Sequence, residues 1–577
     1  MLVQHAAVAV EAEDRRSGQR NRLALLDDDR PPLDRGAVAV DERLAEPHLG
    51  RTLLLGKGPA GVVERRLRLP KGMRAEDDAG GVHRRKQVRV FRTPRTFPGI
   101  RPAACRLLRV HGAIVRLFTC TLVLVAPVAK DQELELTIDS LAYGGNGVAR
   151  LNGFVVFVRR GLPGDTVRAR ITKVQRRHAE ALATEVLQPG PQRVDAPCQH
   201  YPACGGCRFQ DLAYEAQVAS KEGQVGDALR RIGGIAEPPL DPILPAEEIF
   251  HYRNKLEYSF TQREDGPTLG LHKAGRWDEV LEIERCWLTT DLGNSIRNAV
   301  REWARGDRLV AYDQAEHTGY LRHLVVREGR NTNQALVQLV TGPGEKFDTG
   351  GFVDLLRGFP EVKSIHWSIN ERPAEVTNLP TQLLWGEEAI EEELCGLRFR
   401  VRPNAFLQTN TRMAERLYEL AREFAGLTGN ETVFDLYCGI GTIGLLLARD
   451  ALTVWGVEVS EESVACALEN ADLNGIGNVA FFAGNVGQSV AELHERAGDP
   501  DVVVVDPPRA GLAGKALKRL GEVGAPRLVY VSCNPTTLAG DAKRLRDDYG
   551  YELRRAKPVD MFPHTPHVET VALFERA

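Results

Sequence analysis

The stretch "TVFDLYCGIGTIGLLLA", Thr432 to Ala448, decides how the C-terminal third of this 577-residue chain is read. Its first half is apolar and rich in β-formers and its second half is helix-forming. Gly439, Gly441 and Gly444 stand at the junction, where a backbone without side chains can pass close to a ligand. Strand-like segments follow with helical spacers between them: "TVWGVEVS", "VAFFAGNV", "DVVVVDPPRAG", "RLVYVSCNP", "YELRRAKPVDMF" and "HVETVALFER". Alternating β and α over residues 401–577, after "AFLQTN" at Ala405, implies a Rossmann-like, doubly wound α/β sheet. Ligands of such sheets gather at the carboxyl ends of the strands, where Asp435, Glu458, Asn485, Asp506 and Cys533 all fall.

The strand ends carry chemistry. Asp435-Leu-Tyr-Cys-Gly439-Ile-Gly441-Thr-Ile-Gly444 is a glycine-rich turn, and an acid at the next strand end, Glu458, can accept both hydroxyls of a ribose. Such a turn also serves dinucleotides, but the Asp-x-x-x-Gly-x-Gly form with Glu458 resembles the pattern of S-adenosylmethionine-dependent methyltransferases. Asp506-Pro-Pro-Arg509 is a rigid loop able to present a carboxylate to a planar base edge. It is similar to the loops of amine methyltransferases, except that Arg509 replaces the stacking aromatic, which points to a ring carbon as target. Cys533, in "LVYVSCNPTTL", supplies what a ring carbon needs: C5 of a uracil takes no methyl group until a nucleophile such as a thiolate adds to C6. The C5 proton must then leave, and "HVET" offers Glu569 with His567 beside it. A lone cysteine is as often a small buried hydrophobe, and a lone Glu569 reads as a strand-edge carboxylate; their conjunction with the glycine turn gives them a role.

Upstream, residues 1–125 are Arg-rich without sustained helical or strand period, and read as disordered or as an over-extended start. Residues 1–120 hold 24 Lys+Arg against 14 Asp+Glu, and the remainder 51 against 64, so a polyanion must be met by local basic patches. Residues 131–190 alternate apolar and polar in short runs broken by Gly-Gly-Asn-Gly, Asn-Gly and Pro-Gly-Asp, the pattern of a small five-stranded, OB-like β-barrel. Its cations, Arg150, Arg159, Arg160, Arg168, Arg170, Lys173, Arg176 and Arg177, against few acids, favour a phosphate-tracking surface over a merely solvated face. Residues 191–400 mix strand-like "YRNKLEYSFT", "HLVVREG" and "QALVQLVTG" with helical "NSIRNAVREWA", a central α+β domain. It contains Cys198-x5-Cys204-x2-Cys207, with Cys286 as the best-placed fourth ligand; four thiolates suit zinc or an iron–sulfur cluster. Ten cysteines are too few for a disulfide scaffold, and the best apolar run, Leu117 to Ala129, is short of the ~20 residues that span a bilayer. A cytoplasmic protein with no membrane association is expected, and no heptad pattern suggests more than a monomer.

From about residue 131 to the end the chain resembles the RNA (uracil-5-)-methyltransferase family, most of all its bacterial 23S ribosomal RNA members with a TRAM domain and an iron–sulfur cluster. The resemblance is carried, in the family's order, by the barrel, the C-x5-C-x2-C loop, "FLQTN", "DPPR", and "SCNP" followed by "HVE". It implies a TRAM barrel, a central iron–sulfur domain and a C-terminal methyltransferase domain. The implied reaction is methyl transfer from S-adenosyl-L-methionine to C5 of a specific uridine in 23S rRNA, before full ribosome assembly. It further implies Cys533 as nucleophile and Glu569 as proton acceptor, with Gln408, Tyr437, Glu458 and Asp506 lining the cofactor and target-base pocket. A 4Fe-4S cluster on Cys198, Cys204, Cys207 and Cys286 is likewise implied. Asn485 stands where an acidic residue commonly meets the adenine amino group, so that role is not carried over, and residues 1–125 have no counterpart in the family. The competing readings are a tRNA uridine C5-methyltransferase, whose usual members lack barrel and cysteine cluster, a non-catalytic RNA-binding or ribosome-assembly factor, and an amine methyltransferase that needs no covalent adduct.

Overall fold

The computed structural model describes residues 127–344 and 347–576, together with the backbone of two short strands further upstream. Those strands, Arg106–Val110 and Ala113–Leu117, pair as an antiparallel hairpin. The expectation for the rest of residues 1–125 lies outside the described residues.

The C-terminal sheet is built from Thr432–Leu436 (β1), Thr453–Glu458 (β2), Val479–Ala483 (β3), Val502–Val505 (β4), Arg527–Ser532 (β5), Tyr551–Val559 (β6) and Glu569–Arg576 (β7). Their spatial order is 3-2-1-4-5-7-6, with β1 to β5 parallel and β7 antiparallel to both neighbours. Both faces are covered, so the strands read as apolar runs rather than as alternations. In β4, Val502 and Val504 enter one core, with helices Thr411–Ala425, Thr442–Leu447 and Glu461–Leu473. Val503 and Val505 enter the other, with helices Val486–Ala497, Gly514–Val523 and Pro535–Tyr549. The strand order reverses between β1 and β4, which opens the ligand crevice at their carboxyl ends.

Helix Tyr214–Arg231 also packs on this sheet, although it lies in the stretch read as central: Val225, Ala228 and Leu229 join the second core. Residues 240–244 run beside β6 through bridges from Leu240 to Ala556 and from Leu244 to Val559. A buried ion pair fastens the helix, Lys221 Nζ donating to Asp560 Oδ1 at 2.6 Å, while Tyr214 Oη donates to Asp560 Oδ2 at 2.9 Å. The central sheet has seven strands, antiparallel except where Gln334–Thr341 runs parallel to Val362–Ile369. Helices Asp291–Gly306 and Thr349–Arg357 contribute Ile296, Val300, Phe352 and Leu356 to its core.

The small β-domain has six strands where five are expected from sequence: Glu133–Thr137, Ser140–Leu141, Gly147–Leu151, Phe154–Arg159, Thr166–Val174 and His178–Gln188. The extra strand exists because Gly144 and Gly145, at φ +91° and +87°, turn the chain tightly enough for Ser140–Leu141 to pair with Gly147–Val148. Hydrogen bonding runs as a ladder from Glu133–Thr137 at one end to Ser140–Leu141 at the other. The expectation of a cation-rich surface with few acids needs correction. Lys173 pairs with Glu180 at 3.6 Å and Arg168 with Glu185, because opposed positions on neighbouring strands carry opposite charge, and Arg150 pairs with Asp139 of the short connection at 2.8 Å. Arg159, Arg160, Arg170, Arg176 and Arg177 have no carboxylate partner among the described residues.

Candidate active site

The glycine turn after β1 is shaped by left-handed backbone: Tyr437 at φ +71°, Gly439 at +54° and Gly441 at +84°. The Tyr437 and Cys438 N–H groups both donate to the Val457 carbonyl, at 2.9 and 3.2 Å, and stitch the turn to β2. Glu458 closes the frame by accepting from Gly439 N–H at 3.2 Å and from Ser460 N–H at 2.9 Å. A Cβ on Gly444 would stand 2.7 Å from Asp435 Oδ2, so glycine there lets the helix settle on the carboxyl group. Burial pushes Asp435 up to about 7, with Asp506 and Glu458 adding to it and the Gly444 amide opposing. Gln408 is buried and its carbonyl accepts from Asn254 Nδ2 at 3.1 Å. Asn485 is exposed and caps helix Val486–Ala497, accepting from Gly487 N–H at 3.0 Å. It stands at a strand end, as sequence placed it, two residues past β3, and there it serves as the cap of the next helix.

Cys533 follows β5 directly and Glu569 opens β7. Ser532 pairs with Thr570 in antiparallel register, which brings Cys533 and Glu569 to the same end of the sheet. Asn534 fixes the loop between strand and helix. Its side-chain oxygen caps helix Pro535–Tyr549 by accepting from Thr536 N–H at 3.0 Å, and its amide donates to the Arg509 carbonyl at 3.0 Å. The "SCNP" and "DPPR" loops are thereby joined, and Cys533 sits just before the positive end of a 15-residue helix.

Burial pushes the Cys533 thiol up to about 11, Glu569 and Asp506 push the same way, and the Arg509 guanidinium opposes them. Glu569 is 3% exposed. Burial and then Asp506 raise it to about 8, again against Arg509, and its Oε2 has no hydrogen-bond partner among the described residues. Burial raises Asp506 to about 7. A thiol and two carboxyl groups, all raised by burial, are thus coupled to one another and to the exposed Arg509 guanidinium. Burial, aided by Arg509, lowers His567 to about 4, so its imidazole is neutral at physiological pH. The residue that sequence reasoning missed is Tyr143, whose hydroxyl lies 3.5 Å from the Cys533 carbonyl. A tyrosine in a turn of the small β-domain has no sequence signature that would have announced it.

Cys198, Cys204, Cys207 and Cys286 line one cavity of about 1030 Å³. Burial pushes Cys204 up to about 11 and Cys207 to about 12, with the neighbouring thiols adding to it. Among the described residues no three His, Cys, Asp or Glu side chains stand at metal-holding spacing. The donor chemistry does fit a thiolate-held group: four soft ligands, with Cys204 Sγ receiving Gly206 N–H at 3.4 Å and Cys207 Sγ receiving Gln210 Nε2 at 3.2 Å. The same loop is tied to the segment that leads into Glu569, since Arg208 and Phe209 N–H both donate to the His564 carbonyl, at 2.7 and 3.2 Å.

Sheet order, glycine turn and acidic strand ends together define a Rossmann-like methyltransferase. The family model described as tRNA (Uracil-5-)-methyltransferase matches residues 381–577, and the TRAM domain matches residues 128–184. An uncharacterized RNA methyltransferase of Halalkalibacterium halodurans is 38% identical over 452 residues, 78% of this chain and 98% of that protein. Another, of Bacteroides thetaiotaomicron, is 39% identical over 455 residues, 75% of this chain and all of that protein. Among solved structures, the Pyrococcus abyssi tRNA (uracil-54, C5)-methyltransferase in complex with S-adenosyl-L-homocysteine superposes with a TM-score of 0.62 at 29% identity, over 76% of this chain and 100% of its own. The chain belongs to the S-adenosylmethionine-dependent RNA (uracil-5-)-methyltransferase family and is an enzyme of that class. No helix among the described residues is long and apolar enough to cross a membrane.

Proposed function

We propose that this enzyme methylates C5 of a specific uridine in 23S ribosomal RNA, as a cytoplasmic monomer acting before ribosome assembly is complete. The observation that carries the chemistry is that Cys533 and a buried Glu569, whose Oε2 has no hydrogen-bond partner among the described residues, are brought to the same end of the methyltransferase sheet. S-adenosylmethionine supplies the electrophilic methyl group. Glu458 holds the ribose hydroxyls, and Gln408, Tyr437 and Asp506 wall the space between cofactor and base. The target uridine leaves its stack at a cost of a few kcal/mol, offset by RNA contacts elsewhere. Cys533, its thiolate favoured by Arg509 and the helix N-terminus, releases its proton to water and bonds to C6. The displaced electron pair makes C5 nucleophilic, and C5 takes the methyl group. Glu569 then removes the C5 proton, the C5–C6 double bond re-forms, and the Cys533–C6 bond breaks.

Ribosomal RNA is favoured by the barrel together with the four-cysteine cavity, which would hold a 4Fe-4S cluster on Cys198, Cys204, Cys207 and Cys286. Methyl transfer needs no electron transfer, and the bonds from the cysteine loop to His564 suit a structural role. A tRNA uridine is the second reading, favoured by the Pyrococcus structure, whose alignment extends well beyond the catalytic domain. Incubating anaerobically purified protein and S-adenosylmethionine with 5-fluorouridine-substituted 23S fragments or tRNA separates them. Fluorine at C5 cannot leave as a proton, so the enzyme stalls covalently. A denaturation-resistant adduct with 23S RNA, absent in Cys533→Ala, is expected; an adduct with tRNA alone would move the substrate.

A further inference from the structure

The barrel delivers one side chain to the catalytic pocket. Tyr143 stands in the turn Ala142–Asn146, closed by Ala142 N–H to the Asn146 carbonyl at 2.8 Å and by Gly145 N–H to the Ala142 carbonyl at 3.0 Å. Although 390 residues separate it from Cys533, its hydroxyl donates to the Cys533 carbonyl at 3.5 Å. The half-buried phenol is raised in pKa first by burial, and it is within electrostatic reach of Cys533, Arg509 and Glu569. A side chain from another domain is therefore in contact with the Cys533 backbone and electrostatically coupled to three of the groups assigned above to the reaction.

The turn is wedged in place. A Cβ on Gly145 would stand 3.0 Å from the Phe209 ring and 3.4 Å from Pro566 Cβ, and Gln224 Nε2 donates to the Leu141 carbonyl at 3.3 Å. Phe209 follows the Cys204–Cys207 loop, and Pro566 lies three residues before Glu569. Cysteine loop, barrel turn and catalytic loop thus meet at one point. The hydroxyl itself is weakly engaged: 3.5 Å is the outer limit of a useful O–H···O bond, whose ordinary length is about 2.7–2.8 Å. A phenol that remains protonated, held in position yet poorly satisfied, is ready to exchange its acceptor for a better one.

We propose that Tyr143 is a substrate-binding residue of the uridine pocket, its hydroxyl donating to an acceptor oxygen of the flipped uridine nucleotide, so that seating RNA on the barrel also completes the methyl-transfer site. This rests on the C5-uracil reading above. It differs from a plain domain fastener, which would hold the barrel in place and contribute equally whether or not a target uridine is present.

The test uses full-length Tyr143→Phe, which removes only the hydroxyl, and Tyr143→Leu, which also removes the ring. Each is assayed for thermal unfolding, for S-adenosylmethionine binding, for affinity to substrate RNA with an abasic target position, and for the rate of covalent adduct formation on 5-fluorouridine RNA. Tyr143→Phe is expected to keep the first three at wild-type values and to slow adduct formation about five- to tenfold, the effect of one hydrogen bond; Tyr143→Leu slows it further. A wild-type adduct rate in Tyr143→Phe overturns the proposal, whatever Tyr143→Leu does. So does a loss of thermal stability and of abasic-RNA affinity that accounts for the slower rate, which identifies a fastener. Absence of any adduct with the unaltered enzyme overturns the C5 reading and, with it, this proposal.

Discussion

Glu569 sets the pH behaviour expected of this pocket. Burial and Asp506 hold its carboxyl protonated below about 8, and burial holds Cys533 as a thiol to about 11. In the proposed reaction the base must be ionised to take the C5 proton and the thiol ionised to attack, so single-turnover methylation should climb steadily between about pH 6 and pH 9. A profile flat across that interval would remove both ionisations from the rate. Stability runs the other way. A carboxyl whose folded pKa is raised binds its proton more tightly folded than unfolded, so the stability present at low pH is lost as pH rises through about 8. Asp435, raised to about 7, behaves in the same sense. Glu569→Gln removes an ionisation that folding disfavours, and should melt a few degrees higher than the parent at pH 8.5. The same variant can still attack C6 but cannot clear the C5 proton, so an adduct with ordinary uridine RNA should accumulate on a denaturing gel. Resolution of that adduct at the parental rate would assign the proton to another base.

At the scale of the element, the junction of β5 with its following helix does two jobs through one side chain. Asn534→Ala loses both the cap and the tie to the Arg509 carbonyl, and should destabilise the enzyme by about 1 kcal/mol while lowering activity. Asn534→Ser keeps a capping oxygen but is too short to bridge to the "DPPR" loop, so chemical denaturation should show most of the stability restored and methylation assays should not show the activity restored. Full recovery of both would mean that the tie to Arg509 is idle. Most of this architecture was legible beforehand because strands covered on both faces must be apolar throughout, as Val502–Val505 is, and because loops at strand ends carry glycine, proline and acids. The two-residue strand Ser140–Leu141 was not, since two residues hold no period. Helix Tyr214–Arg231 fell within the stretch read as central, and the sheet it covers was not legible because that depends on the distant partner Asp560 for Lys221. Asn485 and Tyr143 show the same limit from opposite sides: a strand-end residue that serves as a cap, and a turn residue that reaches the pocket.

Across the whole molecule, the barrel's charge matters through what remains unpaired rather than through its total. A cation already committed to a carboxylate releases few counterions on meeting RNA, whereas a free one that neutralises a phosphate adds about 0.7 to the slope of log affinity against log salt for single-stranded nucleic acid. Arg168 is held by Glu185, while Arg176 and Arg177 have no acid partner among the described residues. The double variant Arg176→Ala/Arg177→Ala should therefore flatten the salt dependence of RNA binding by about 1.4 if both contact phosphate. Removing a neutral pair, Arg168→Ala/Glu185→Ala, should leave the slope where it was. Titrating RNA affinity over a range of salt concentrations for the two double variants and the parent decides between these outcomes. Equal slopes in all three would place the RNA backbone away from this end of the barrel. Since the turn carrying Tyr143 packs against Phe209 and Pro566, contact with the substrate would then have to run through that turn or through Arg159, Arg160 and Arg170, which also lack an acid partner among the described residues.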